Sequence, residues 1–225
     1  MIPAPSPNFG PRPPGQPIDM LVLHYTGMES GAAALERLRD PAAQVSAHYL
    51  IEEDGRVFAL VAEEARAWHA GVARWRGHAD INSRSIGIEL VNPGHAFGYR
   101  PFPAAQRAAL ASLAGDILAR HPIPPRNVVG HADVAPCRKQ DPGELFDWAG
   151  LARTGVGLWP DTAAAAPLPA DFTAALAAYG YDDTDPEAAV LAFQRHFRPT
   201  RLDGVADDEC RALLARLLRL AEEKN

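Results

Sequence analysis

Three side chains in this 225-residue sequence are of the types that catalytic zinc sites use as ligands. His24 lies at the end of the predicted strand MLVLHYT, His131 ends the predicted strand NVVGH, and Asp141 follows His131 in an irregular stretch rich in Pro. Two imidazoles and one carboxylate form a known catalytic ligand set, in which the fourth zinc position stays open for water. Residue types alone leave this a hypothesis, because His24 is far from the other two in the sequence.

Two further residues could act on a substrate beside such a metal. Glu89 interrupts the apolar run SIGIELV, and strand alternation is compatible with either a solvent-facing or a catalytic carboxylate. Lys139 lies two residues before Asp141, where it is either a solvated charge or a donor to a developing oxyanion. Cys137 lies in the same stretch and competes with Asp141 as a zinc ligand, since thiolates also bind zinc.

The elements that must position these residues alternate between strands and helices. Met20–Thr26 and Ser85–Val91 are predicted strands, and YLIEEDGRVFALV predicts a hairpin that turns at Asp54-Gly55. Leu110, Leu113 and Ile117 recur at helical spacing after Pro103, while Ser30 is a candidate N-cap of an earlier helix. The pattern predicts an α/β domain with a mixed central sheet flanked by helices.

The sequence divides by composition into four parts. Residues 1–17 form a Pro-rich arm, and residues 18–153 carry the α/β pattern and all of the candidate site residues. Residues 154–170, rich in Gly, Pro and Ala, predict a linker. Residues 171–225 carry three short helical patterns and predict a small all-α three-helix domain.

Charge and composition exclude several classes of protein. A net charge of -6 and a pI near 5.7 argue against a nucleic-acid partner. The two cysteines, Cys137 and Cys210, form no disulfide framework, and no apolar run is long enough to span a membrane. The first residues do not resemble a signal peptide, so the prediction is a cytoplasmic protein, with the periplasm as the alternative.

Five motifs together resemble the zinc-dependent N-acetylmuramoyl-L-alanine amidases of the amidase type 2 family, whose fold is shared with peptidoglycan recognition proteins. In chain order they are LVLHYT, VSAHYLIEEDGRV, RAWHAG, SIGIELVN and GHADVAPCRKQDPGELFDW, within about residues 18–152. The resemblance implies one Zn²⁺ per chain, held by His24, His131 and Asp141. It also implies that Glu89 is the general base and that Lys139 stabilises the oxyanion.

The same resemblance implies a substrate. The family hydrolyses the amide between the lactyl group of N-acetylmuramic acid and L-alanine of the stem peptide. Trp68 and His69 are candidate cleft residues, although core packing is as good an interpretation of Trp68. Asn82 and Asn92 are candidates to bind substrate peptide groups, and turn geometry explains Asn equally well. His48 is expected to have a structural hydrogen-bonding role.

The C-terminal segment, which includes FQRHF and LDGVAD, resembles a three-helix peptidoglycan-binding domain. A wall-binding domain favours polymeric peptidoglycan in the periplasm, whereas the missing signal sequence favours soluble fragments in the cytoplasm. We expect an amidase of peptidoglycan recycling that acts on 1,6-anhydro-muropeptides. The alternatives are an amidase acting on intact sacculi, a non-catalytic peptidoglycan recognition protein, and a zinc hydrolase of another amide.

Overall fold

A mixed six-stranded sheet forms the centre of the protein. The computed structural model describes residues 1–160 and 168–223. The eight strands of the described residues are β1 Ile2–Pro3, β2 Phe9–Pro11, β3 Met20–Tyr25, β4 Tyr49–Ile51, β5 Val57–Ala59, β6 Ala65–Ala67, β7 Ser85–Leu90 and β8 Val128–Gly130. The α-helices there are α1 Gly31–Arg39, α2 Gly94–Phe97, α3 Ala104–Arg120, α4 His131–Val134, α5 Trp148–Arg153, α6 Phe172–Tyr179, α7 Pro186–Phe197 and α8 Asp208–Glu223.

The strand order in the six-stranded sheet is β1-β5-β4-β7-β3-β8. Strands β4, β7, β3 and β8 are parallel, and β4 pairs with β5 as the predicted antiparallel hairpin. Gly55, with φ of 88°, supplies the left-handed conformation that its turn needs. Strands β3 and β7 are buried along nearly their whole length, which explains their continuous apolar sequences. The predicted fold class, an α/β domain followed by C-terminal helices, is confirmed.

The sheet has an apolar core on each face. Leu21 and Leu23 of β3 pack in the core that includes Leu110 and Ile117 of α3. Met20 and Val22 face the opposite side, in a core that continues into α6, α7 and α8. Alternate side chains of one strand therefore bind the domain helix and the C-terminal helices.

Three helices begin at the side chains that sequence patterns favour. Ser30 Oγ accepts from Ala33 N at the start of α1, as predicted, and Asp171 and Asp185 cap α6 and α7 in the same way. Asp207, the residue before α8, accepts from Cys210 N at 3.0 Å. The three predicted C-terminal helices are therefore present.

The Pro-rich residues 1–17 are extended and held against the domain. Strand β1 pairs with β5, and β2 pairs with β6 in a separate two-stranded sheet. The Arg12 guanidinium donates to the backbone oxygens of Glu63, Asn82 and Ser85. These bonds connect the N-terminal segment to the start of β7.

The predicted linker, 154–170, includes residues 161–167, which lie outside the described residues. Before them, Val156 is buried in the core on the α3 side of the sheet, and Leu158 is buried in the core shared with the C-terminal helices. The domain boundaries at 153 and 170 stay predictions. Within the described part of the chain, none of the helices combines the length and apolar character needed to cross a bilayer.

Candidate metal and catalytic site

Strand register brings the candidate residues to one edge of the sheet. His24 of β3 lies directly opposite Glu89 of β7, and Leu23 lies opposite Gly130 of β8, the residue before His131. Because these strands are parallel, their carboxyl ends meet at the same edge. The long sequence separation between His24 and His131 is closed in this way.

One expectation about this edge was wrong. His131 does not end a strand, since β8 stops at Gly130 and His131 begins the one-turn helix α4. The Asp133 carboxylate accepts from Gly130 N at 2.7 Å, which caps the turn and favours a helix there over a longer strand.

The three predicted ligand atoms converge. His24 Nδ1 lies 2.9 Å from His131 Nδ1, and Asp141 Oδ2 lies 3.1 Å from each of these nitrogens. All three residues are buried. Zinc bonds of about 2.0–2.1 Å in tetrahedral geometry separate two ligand atoms by roughly 3.3 Å, so the observed spacing is close to that of a zinc site.

Hydrogen bonds on the far side of each imidazole fix which nitrogen faces the centre. Ser85 Oγ donates to Ile81 O at 2.7 Å and therefore accepts from His69 Nε2 at 3.0 Å. His69 Nδ1 is then the acceptor for His24 Nε2, at 3.0 Å. This chain of donors leaves His24 Nδ1 without a proton.

His131 is oriented in the same way by a backbone carbonyl. Its Nε2 donates to Ala70 O at 3.0 Å, so its Nδ1 also presents a lone pair. Burial, followed by the neighbouring His131, lowers the pKa of His24 to about 4, which keeps its ring neutral. Two imidazole lone pairs facing each other beside a carboxylate repel one another unless a cation lies between them. The donor set therefore fits a zinc ion.

Glu89 lies beside these ligands with one oxygen unsatisfied. Its Oε2 is buried without a hydrogen-bond partner in the described structure. Burial, followed by the charge of Asp141, raises the pKa of Glu89 well above its usual value, while Lys139 opposes that shift. A carboxylate with a raised pKa in a cavity is suited to take up and return a proton.

Alternate residues of β7 share the face that carries Glu89. Ser85 bonds to His69, and Gly87 leaves room for the His69 ring, since a Cβ on Gly87 would lie 2.5 Å from His69 Cγ. The next residue on that face, Glu89, reaches the cavity. Sequence reasoning missed Ser85 and Gly87, although they lie four and two residues before Glu89 and so share its face of the strand.

The stretch after α4 separates the two residues that competed for the metal. Asp141 contacts both histidines, whereas Cys137 is exposed and its Sγ lies 3.7 Å from Asp185 Oδ2. The Arg138 guanidinium donates to the backbone oxygens of Ala70 and Val72. Lys139 lines a cavity together with Asp141 and Glu89.

A cavity of about 420 Å³ opens over the site. Trp68 and His69, both predicted to contact substrate, line it, although both ring nitrogens of His69 are used within the protein. Asn82 and Asn92 do not line it. Asn82 Oδ1 accepts from His69 N and Ala70 N, and the Asn92 side chain binds Gly94 N and Arg100 O. Substrate contact by any of these four residues stays a prediction.

His48 has the structural role expected of it. Its Nδ1 accepts from Gly87 N at 2.9 Å, and its Nε2 lies 3.2 Å from Ala65 O, so the ring joins β7 to the strand β6 region. Burial, followed by the charge of Arg12, lowers the pKa of His48 to about 3. This histidine is therefore neutral, and its ring nitrogens contact groups outside the ligand cluster.

Residues 14–144 match the family of N-acetylmuramoyl-L-alanine amidases. The chain is 44% identical over 230 residues to the N-acetylmuramoyl-L-alanine amidase AmiD of Escherichia coli (strain K12), covering 89% of this chain and 82% of AmiD. It is 37% identical over 161 residues to the 1,6-anhydro-N-acetylmuramyl-L-alanine amidase AmpD of Haemophilus influenzae, covering 64% of this chain and 85% of AmpD.

Two solved structures are also similar to most of the chain. The structure of E. coli AmiD in complex with the substrate anhydro-N-acetylmuramic acid-L-Ala-D-γ-Glu-L-Lys superimposes with a TM-score of 0.79 at 44% identity, covering 90% of this chain and 89% of AmiD. AmpDh3 from Pseudomonas aeruginosa in complex with an anhydromuramic pentapeptide superimposes with a TM-score of 0.81 at 38% identity, covering 90% of this chain and 92% of AmpDh3. Both likenesses extend beyond the α/β domain.

Proposed function

The chain belongs to the N-acetylmuramoyl-L-alanine amidase family, and from that premise we propose that it hydrolyses the lactyl–L-alanine amide of 1,6-anhydro-muropeptides with one zinc ion per chain. The observation that carries the proposal is the cavity in which His131, Asp141, Glu89 and Lys139 meet, with His24 behind them. The AmiD complex holds an anhydromuramyl peptide as substrate, and the AmpDh3 complex holds an anhydromuramic pentapeptide. Both support the fragment as the substrate class.

His24, His131 and Asp141 would hold the metal through the three atoms that converge at the sheet edge. When bound there, zinc supplies a Lewis acid that acidifies water and polarises an amide carbonyl. Ser85, His69 and the carbonyl of Ala70 hold the two imidazoles with their Nδ1 atoms inward, which spares the site the cost of orienting them.

Glu89 takes the proton of the attacking water and returns it to the leaving amine of L-alanine. Its side chain suits both transfers. No hydrogen bond competes for Oε2, and the raised pKa of the carboxyl group makes it a stronger acceptor for the proton of water. Lys139 places its ammonium where charge develops on the carbonyl oxygen. Balance is kept, because one water is consumed and yields a carboxylate on the muramyl group and a free amine on the peptide.

The remainder of the cavity suits a peptide with carboxylates. Arg37 of α1 and Arg138 line it together with Lys139, so three cationic side chains are present. Apolar surface comes from Met28, Leu38 and Val45. Trp68 offers an aromatic face for a sugar ring or a peptide.

Product analysis on two matched substrates tests this function. Purified zinc-loaded protein is incubated with anhydro-muropeptides and with intact sacculi, and the products are identified by mass spectrometry. We expect free stem peptides that begin with L-alanine, released faster from the soluble fragments. Stoichiometric zinc without release of peptide from either substrate would support the non-catalytic recognition protein, and faster release from sacculi would support a wall amidase.

The compartment and the polymer-binding role of residues 171–225 stay predictions. Cell fractionation tests the cytoplasmic location. Sedimentation of the Glu89→Ala protein with purified sacculi, compared in the presence and absence of competing soluble muropeptide, tests binding to the polymer.

A further inference from the structure

Asp133 is a buried carboxylate two residues after His131 that does not take part in the ligand cluster. It is 2% exposed, and its Oδ2 accepts from Gly130 N at 2.7 Å. This bond ties the end of strand β8 to helix α4, the turn that carries His131. Asp133 is therefore bonded within the same turn that carries the His131 ring.

The remaining donors to Asp133 come from the C-terminal helical region. Tyr181 Oη donates to Asp133 Oδ1 at 2.7 Å, and His196 Nδ1 donates to Oδ2 at 2.7 Å. Tyr181 follows α6 and His196 lies in the last turn of α7, so both come from beyond the predicted linker. One carboxylate thus joins the helix that carries His131 to two C-terminal elements.

Both donors are held rigidly. The His196 ring stacks on the rings of Trp148 and Phe197, with distances between ring centroids of 3.7 Å and 3.8 Å. In this position its Nδ1 faces the Asp133 carboxylate. Tyr181 packs edge-on against Trp75 at 5.1 Å. Burial, followed by the charge of Asp133, raises the pKa of Tyr181 well above its usual value, so the phenol keeps the proton that it donates.

A backbone hydrogen bond and an ion pair hold the α/β domain and the C-terminal helical region together around these donors. Arg76 N donates to Gly180 O at 2.7 Å, and Arg74 forms an ion pair with Asp182 at 3.4 Å. A Cβ on Gly180 would lie 2.7 Å from the Trp75 indole, so the chain passes against that ring without room for a side chain. The C-terminal helices are in this way continuous with the core below the site.

We propose that Asp133 is a positioning residue for His131, and that Tyr181 and His196 make the C-terminal helical region a structural part of the metal site. A buried carboxylate that loses a donor must find another partner or move towards water. Because Asp133 lies in the same helical turn as His131, such a movement shifts the His131 Nδ1 atom. The inference rests on the proposed role of His131 as a zinc ligand and does not depend on the substrate.

Two pairs of variants separate hydrogen bonding from packing. Tyr181→Phe removes the donor to Asp133 Oδ1 and keeps the ring. Its control is Tyr179→Phe, which removes a hydroxyl group from the neighbouring aromatic ring that makes no hydrogen bond to Asp133. His196→Phe keeps a ring between Trp148 and Phe197 and removes the donor. His196→Asn keeps an amide nitrogen near the place of Nδ1 and loses the stack.

The readouts are the zinc dissociation constant, measured by chelator competition, and the visible spectrum of the Co²⁺-substituted protein, which reports ligand geometry. Loss of an outer partner of a metal ligand costs about 10–100-fold in affinity, and we expect about tenfold for Tyr181→Phe and for His196→Phe, with altered Co²⁺ bands. Tyr179→Phe is expected to match the parent, and His196→Asn to bind zinc more tightly than His196→Phe.

Zinc affinities within twofold of the parent in both donor-free variants would overturn the inference, as would weaker binding by His196→Asn than by His196→Phe. Tyr181→Phe removes a single oxygen atom, so it keeps the test available if a change at His196 prevents folding. A parent protein that binds no zinc would instead refute the proposed function.

Discussion

His24 and Glu89 are directly opposed residues on the adjacent parallel strands β3 and β7. Residues paired in this way project from the same face of a sheet, so one strand pairing places the proposed zinc ligand His24 beside an unsatisfied carboxylate. Helix α4 brings His131 to the other side of His24. The site is thus built from the ends of three neighbouring strands and the stretch that follows the last one.

Glu89→Gln should abolish turnover and leave zinc bound. The amide keeps the shape of the side chain but cannot take a proton, and general acid–base groups contribute about 10²–10⁴-fold to rates. Rates of muropeptide hydrolysis and zinc content by metal analysis check this outcome. Loss of zinc in Glu89→Gln or Glu89→Ala would show that the carboxylate is a ligand and that its role is misassigned.

The same substitution should change how stability depends on pH in the zinc-free protein. Burial raises the pKa of Glu89 in the folded state, so the folded state binds more protons than the unfolded state above the unfolded value of about 4.3. Stability is therefore full below that value and decreases as pH rises towards the folded pKa. Glu89→Gln should be more stable than the parent at pH 7, and the difference should shrink towards pH 4 in denaturant titrations. An unchanged pH dependence would contradict the raised pKa.

Breaking the chain of donors behind His24 should weaken zinc binding without removing a ligand. Ser85→Ala deprives His69 Nε2 of its acceptor, and His69→Phe removes the partner of His24 Nε2. We expect losses of about 10–100-fold in zinc affinity, measured by chelator competition. Ser83→Ala, which changes a neighbouring hydroxyl bonded to Asp80, is a matched control that should bind zinc as the parent does. Equal affinities for Ser85→Ala and the control would argue against the relay.

Gly87→Ala should damage the site through the His69 ring. The added Cβ would lie 2.5–2.7 Å from three ring atoms. Overpacking of this kind costs about 1–3 kcal/mol and forces the ring away from His24. Thermal unfolding and zinc affinity should both decrease. Gly115→Ala, where an added Cβ meets nothing within 4 Å, is the control that should leave zinc affinity unchanged.

The sequence alone predicts the fold class and brings forward the three residues whose atoms converge here. The continuous apolar strands, the Asp54-Gly55 turn and the Ser30 cap each depend on neighbouring residues in the sequence. The structure has all three as predicted. His24 and His131 meet because β3 and β8 are neighbours in the sheet. Hydrophobic periodicity does not predict strand order, so the pairing of these two histidines was predicted from the family resemblance. Sequence reasoning missed the contacts among Asp133, Tyr181 and His196. A buried polar contact between segments far apart in the sequence does not change the hydrophobic periodicity of either segment.

The helix at His131 shows the same limit on a smaller scale. The apolar run before it predicts a strand that continues to His131, and the structure ends the strand at Gly130. The Asp133 carboxylate decides the matter by accepting from Gly130 N, and the contacts that hold that carboxylate come from Tyr181 and His196. Tertiary hydrogen bonds therefore set a local boundary that the local sequence leaves open.

Hydrolysis in ¹⁸O-labelled water tests the central claim most directly. Zinc-loaded protein is given an anhydromuramyl peptide in labelled water, and each product is analysed by mass spectrometry. We predict one ¹⁸O atom in the lactyl carboxyl group of the anhydromuramic acid, unlabelled stem peptide with a free L-alanine amine, and no reaction after chelation or with Glu89→Gln. Label in released acetate or at a peptide bond, or cleavage that survives both removal of zinc and loss of Glu89, would contradict the account.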